Sequence, residues 1–279
     1  LPRLTRGALD AEVQGREGLT PYARWAARWG LWPVWALALV LPLLLLGAWE
    51  YASRQDAAGA YAFVPLAQVG AAWVEVLGSG ELLVNLWASL LRTCTGLALG
   101  IVGGIGLGAL MALSAPANRL IAPLFHALRQ VPMLGWIPLI ALCFGNGESA
   151  KLLIVSLAAL YPMVLNTFEG LRSVPREYIE VGRVYGFGLW QQLTRVIAPS
   201  AAPSVFTGIQ LSLIYTWLAT LGAEYLLASG KGIGNTLIDG REHFEMDLVL
   251  FGVVVIGLVG FVLNTVLGAL ERRLLAWRE

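Results

Sequence analysis

Charged residues divide this chain into six apolar stretches. Trp29–Trp49, Thr93–Asn118, Gln130–Gly147, Leu152–Phe168, Val196–Ala223 and Leu248–Leu270 contain no Asp, Glu, Lys or Arg. Each is long enough, or nearly so, to cross about 30 Å of hydrocarbon as a helix. With flanking turn residues taken into account, the predicted spans are about 29–49, 86–113, 122–145, 150–169, 200–226 and 247–270, with a polar connection at 172–199. The first stretch is too long for the apolar core of a signal peptide and is followed by five more, so it reads as a retained helix.

Six spans put both termini on one side. The arginines of the first 28 residues, of 119–129, of 172–195 and of the C-terminus fall on that side, against Arg54, Arg92, Lys151, Lys231 and Arg241 on the other. This asymmetry predicts that both termini are cytoplasmic. Residues 1–28 read as a cytoplasmic tail ending in "YARWAARW", a helix at the inner interface, and 29–279 as one transmembrane domain. The opening Leu1 in place of Met reads as a trimmed start.

Composition supports a lipid-embedded, all-α protein. Hydrophobic residues make up 57% and charged residues 13%, about half the share in soluble domains. The 32 glycines and 11 tryptophans suit close helix packing and interfacial anchoring. A net charge of +1 points to no nucleic-acid partner. Cys94 and Cys143 lie in apolar runs and read as free thiols. His126 and His243 have no metal-ligand spacing, and no metal site is expected. No catalytic set stands out, and the chain is expected not to be an enzyme.

Gly96, Gly100, Gly104 and Gly108 recur at steps of four and share one face of the second span. Small residues at that spacing let a second helix approach closely, as ordinary packing or as a seam beside a pore.

The polar connection "EYIEVGRVYGFGLWQQLTRVIAPSAAP" (177–203) predicts a short helix, a glycine turn at Gly186 and Gly188, and a second helix from Leu189 to Ile197 ending at Pro199. Tyr178, Val181, Val184 and Tyr185 fall on one side of the first helix, with Glu177, Glu180 and Arg183 around the rest. A short surface helix of this kind fits the groove of a partner protein.

This segment resembles the EAA loop of binding-protein-dependent ABC importer permeases. That pattern is Glu-Ala-Ala, a Gly after three more residues, and an Ile-x-Leu-Pro after nine. Glu180, Gly186 and Pro199 match in register; Val181 and Gly182 stand for the two alanines, Val196 for Ile and Ala198 for Leu. Residues 128–151, 160–174, 223–252 and the terminal "LERRLLAWRE" look like the aliphatic sulfonate, taurine and nitrate branch, a MetI-like fold. "SGELLVNL" (79–86) and "GESAK" (147–151) lean toward sulfonates.

The resemblance implies a homodimeric permease in the bacterial inner membrane. It also implies two cytoplasmic ATPase subunits gripping the EAA loops, and a periplasmic or lipid-anchored binding protein delivering cargo. Glu177, Glu180, Val181, Arg183, Val184, Tyr185, Gly186 and Pro199 would then form the ATPase-coupling element. The chain has no Gly-x-x-x-x-Gly-Lys-Ser/Thr loop, so ATP and Mg would be bound by the partner ATPase and no cofactor by this chain. Candidate pathway residues are Arg129, Asn166, Tyr215, Trp217 and Glu224, because polar groups inside spans are costly. Four of them have a plainer alternative: Arg129 snorkelling to lipid phosphate, Asn166 bonding to a neighbouring helix, Trp217 packing, and Glu224 serving as a structural acid, since a carboxylate repels anionic cargo. The outer segment 229–247 reads as a helix with Ile233, Leu237 and Phe244 on one stripe. Nitrate, bicarbonate and vitamin-precursor permeases share the branch. A secondary transporter would need coupling-ion ligands and an inverted repeat, neither of which is visible.

Overall fold

The structure, a computed structural model, describes residues 34–54 and 64–275. Every regular element among them is helical. They fall into two compact units that divide after Leu66.

In the first unit, α1 (Val34–Ser53) contains Pro42. It covers most of the first predicted span; residues 29–33, and the interfacial helix expected before them, lie outside the described residues. The end of α1 holds the returning chain. Trp49 Nε1 donates to the Val64 carbonyl at 3.0 Å, and the Glu50 carboxylate accepts from the Leu66 N–H at 2.9 Å and from Arg54 Nε at 2.9 Å.

The second unit begins within α2 (Leu66–Ser79) and continues through α3 (Glu81–Leu113), α4 (Ala115–Leu128), α5 (Met133–Phe144) and α6 (Glu148–Arg172). Then come α7 (Arg176–Val184), α8 (Leu189–Gln192), a π-helical turn (193–197), α9 (Ala198–Leu227), α10 (Ile233–Glu242) and α11 (Met246–Leu274). Among the described residues, four helices are long and apolar enough to cross a membrane: α3, α6, the continuous run Leu189–Leu227, and α11; a fifth span arises if α4 and α5 count as one broken crossing.

Three expectations need correction. Residues 122–145 do not form one helix. α4 and α5 meet at 96°. Pro132 has no N–H to continue the ladder, and its ring drives Val131 away from helical geometry. The second correction concerns Pro199, which does not end a helix. The chain widens into the π-turn, where the Ala198 N–H reaches back to the Leu193 carbonyl, and Pro199 lies in the first turn of α9. Third, Phe244 does not share a stripe with Ile233 and Leu237. It lies beyond α10 with φ 59° and is exposed, whereas Ile233 is buried.

α6 lies at the centre, packed between α3 and α9. Gly96, Gly100, Gly104 and Gly108 are buried and face it. A Cβ on Gly100 would lie 2.8 Å from the Ser156 carbonyl oxygen, and one on Gly108 2.6 Å from that of Val164. Only a bare backbone fits there. On its other side, Ile154 and Ala158 of α6 pack with Ile137 and Ile140 of α5 and Ala219 and Ala223 of α9. Polar links cross the same layer: Ser212 Oγ donates to the Ala159 carbonyl at 2.8 Å, and the Thr93 and Thr220 hydroxyls are 2.9 Å apart. Such bonds contribute about 0.6 kcal/mol each between membrane helices. Ile233 of α10 joins Phe251 and Val255 of α11 in a further core, which Trp73 closes edge-on to Phe251 at 5.2 Å. Large apolar side chains such as Val102, Leu120 and Leu142 are exposed, as a lipid-facing surface requires.

Candidate functional site

The bend between α4 and α5 opens a cavity of about 770 Å³ against the middle of α6 and α9. The turn at 129–132 forms one wall. Arg129, Asn166 and Tyr215 line the cavity, together with Tyr161 and a mostly apolar surface that includes Leu134, Leu165 and Leu218. Asn166 Nδ2 donates to the Pro162 carbonyl at 2.8 Å, one turn back on α6. Among the described residues of the lining, Arg129 alone carries a formal charge. Trp217 and Glu224 lie away from the cavity. Trp217 is buried against α11, where a Cβ on Gly260 would meet its Nε1 at 3.1 Å.

Glu224 is the centre of a buried polar cluster at the end of α6 where Glu148 starts the helix. It is fully buried and accepts hydrogen bonds from Ser89 Oγ (2.7 and 2.9 Å) and from the Gly234 N–H at 2.8 Å. It also forms an ion pair with Arg92. The Arg92 guanidinium, itself buried, reaches Glu148 at 2.7 Å and donates to the Lys231 carbonyl at 3.2 Å. Lys151, with no exposed surface, donates to the Ser229 carbonyl. Asn235 Nδ2 holds the Gly230 carbonyl at 2.6 Å, and the Ser89 hydroxyl accepts from the Ile233 N–H at 3.0 Å. Two acids and two bases therefore fasten the loop 228–234 across the ends of α3, α6 and α9. Gly232 has to be glycine: its φ is +159°, and a Cβ there would overlap the Glu224 carboxylate.

At the opposite end of α6, α7 lies on the start of the α8–α9 run. Gln192 is buried and donates to the Ile179 carbonyl at 2.6 Å. Arg195 lies over the Phe187 ring at 5.8 Å. Gly182 is the buried residue of α7, and Gly186 turns the chain with φ +70°. Glu177, Glu180 and Arg183 are exposed. So is the apolar side, with Tyr178 55%, Val181 54%, Val184 87% and Tyr185 76% exposed. Pro199 lies beyond this pair, in the first turn of α9.

The sequence reading missed Ser89, Arg92, Glu148, Lys151 and Gln192. A signal was present for the three charged ones. Arg92, Glu148 and Lys151, like Glu224, each border a charge-free stretch, and charges at such positions need partners of opposite sign. Gln192 carried no signal, since its role depends on the fold-back of α7.

Residues 100–276 match the family described as "Binding-protein-dependent transport system inner membrane component". The chain is 34% identical over 245 residues to the aliphatic sulfonates transport permease protein of Bacillus subtilis (strain 168), covering 88% of each. It is 30% identical over 238 residues to the nitrate import permease protein of Leptolyngbya laminosa, covering 82% of this chain and 84% of that one. Among solved structures, a chain of the inward-facing MetNI methionine ABC transporter shares its fold, with a TM-score of 0.59 at 16% identity over 69% of this chain and 95% of that one. The helical architecture, the exposed α7 and the match over most of the sequence lead to one conclusion: the chain belongs to the family of binding-protein-dependent transport system inner membrane components, the permease subunits of ABC importers.

Proposed function

We propose that this permease moves an aliphatic sulfonate, taurine included, into the cell by alternating access. The observation that carries the reading is the identity to a sulfonate permease along almost the whole of both chains. Nitrate is the second reading, from the relative in Leptolyngbya; bicarbonate or a vitamin precursor would be further members of the branch.

In this reading α1, the broken α4–α5 pair and the four long helices make six crossings with both termini cytoplasmic. The working unit holds two copies of the chain. Two ATPases, which bind the ATP and Mg, seat on α7 in the cytoplasm, and a binding protein delivers cargo at the Glu224 end. The exposed apolar side of α7 supports its use as the coupling helix. Val181, Val184 and Tyr185 form the plug, Glu177, Glu180 and Arg183 the polar rim, and Gly186 the joint. Closure of the ATPases draws the α7 helices together and opens the cavity outward; hydrolysis returns it inward. The glycine row of α3 keeps α3 and α6 moving as one body.

ATP hydrolysis by the reconstituted importer, with its own binding protein loaded with alkanesulfonates, taurine, nitrate or bicarbonate in turn, tests the cargo. Stimulation by a sulfonate is expected. Stimulation by nitrate or bicarbonate alone would retain the class and replace the cargo. The coupling role predicts a separate result. Gly186→Val forces a β-branched side chain into a left-handed conformation, a strain of about 1–2 kcal/mol, and tilts α7. Combined with Glu180→Ala, it is expected to abolish cargo-stimulated hydrolysis in a complex that still co-purifies. Wild-type stimulation in that variant would remove α7 from the coupling path.

A further inference from the structure

We propose that Arg129 holds the anionic head of the cargo inside the cavity, and that the leucine wall beside it holds an alkyl tail. The permease itself, not the binding protein alone, then selects amphiphilic monoanions. This inference rests on the reading that the cavity is the pathway and that the cargo is a sulfonate.

Geometry comes first. The helix break at 129–132 interrupts backbone hydrogen bonding within a chain that spans the membrane. Such breaks are tolerated where the irregular backbone is buried in protein or borders a water-filled cavity. Here it borders the cavity. Arg129 opens the turn, and its N–H donates to the Phe125 carbonyl at 3.1 Å. The feature that breaks the helix thus places Arg129 in the cavity lining.

Charge follows. Among the described residues the ion pairs join Arg54 to Glu50 and Arg92 to Glu148 and Glu224. Arg129 is in none of them, and no carboxylate among the described residues shares the lining with it. A guanidinium with no carboxylate partner among the described residues attracts anions, and its planar fork matches two oxygens of one head group. Tyr161 and Tyr215 are in the same lining, and a tyrosine hydroxyl is a hydrogen-bond donor.

Size and polarity separate the anions. About 770 Å³ is ample for an organic molecule, and nitrate or bicarbonate would occupy little of it. Leu134, Leu165 and Leu218 offer apolar surface that a bare inorganic anion cannot use. Each methylene buried there should tighten binding about fourfold.

The test is direct binding of ethanesulfonate and butanesulfonate to the permease–ATPase complex in nanodiscs, without the binding protein, alongside import by the complete system. Butanesulfonate is expected to bind about 10- to 20-fold more tightly than ethanesulfonate. Butanesulfonate should also bind far more tightly than butylamine. Arg129→Gln is expected to weaken butanesulfonate binding about 10- to 100-fold and Arg129→Lys to restore part of the loss. Equal binding by Arg129→Gln, or equal binding of the amine by wild type, overturns the head assignment. The amine comparison decides even if the glutamine variant fails to assemble. Equal binding of the two sulfonates overturns the tail assignment. A wild-type complex that imports nitrate and no sulfonate refutes the cargo reading and the tail with it. In that case the head assignment stands only if Arg129→Gln reduces nitrate import at least about tenfold.

Discussion

Glu224→Ala will be the most destabilising single substitution outside the apolar core. It removes a fully buried carboxylate that accepts from Ser89 and from the Gly234 N–H and pairs with Arg92. Arg92 would keep Glu148 and the Lys231 carbonyl, but the buried side of its guanidinium would have no counter-charge. Breaking a buried pair by deleting one partner costs about 3–5 kcal/mol. For a unit of this size that lowers the apparent melting temperature by about 6–20 °C. The check is thermal unfolding of the purified protein, followed by tryptophan fluorescence. A double change, Arg92→Leu with Glu224→Leu, leaves Glu148 and Lys151 as one acid and one base. It is expected to recover at least half of the loss, because two apolar groups replace the pair. A melting temperature for Glu224→Ala within a degree or two of wild type would show that the cluster does not fasten the loop 228–234.

The second large effect is expected at Gly108. A Cβ there would lie 2.6 Å from the Val164 carbonyl oxygen and 2.8 Å from the Thr167 Cβ. Backbone cannot turn aside as a side chain can, so Gly108→Val must push α3 off α6. Overpacking of a tight core costs about 1–3 kcal/mol. The upper end applies here, because contacts at Gly100 and Gly104 loosen together with it. Gly106 is the control. It is on the same helix, and a Cβ added there would have nothing within 4 Å, so Gly106→Ala should be neutral or stabilising by up to about 1 kcal/mol. If both variants melt alike, the close approach of α3 and α6 is not what the glycine row provides.

Much of the architecture was legible in the sequence because lipid imposes a simple rule: a crossing is a long run without charge. α3, α6, the run ending in α9, and α11 follow from that rule. The glycine row was legible as well, since a period of four places its members on one helix face. The α4–α5 break was harder. Pro132 announced a boundary, but an apolar run cannot tell a straight crossing from a bent one. Pro199 misled in the opposite direction, because a π-turn can absorb a missing donor and let the helix continue. The candidate site was legible only in pieces. Arg129 stood out at the mouth of an apolar run and Asn166 and Tyr215 within such runs, but Trp217 stood out equally and is packed against α11.

The sequence by itself determined that this is a multi-pass helical membrane protein with an amphipathic connection at 177–203, because hydropathy, periodicity and turn chemistry act over short stretches of chain. Which residues meet was decided by the tertiary structure. Arg92 and Glu224 are 132 residues apart, and Lys151 and Ser229 are 78 apart; nothing local pairs them. They come together because α3 and α9 both pack on α6, which places Arg92 between Glu148 and the buried Glu224 and leaves Lys151, with no exposed surface, to the Ser229 carbonyl. The same packing, with the bend before α5, leaves Arg129 beside an open cavity with no acid among the described residues of its lining.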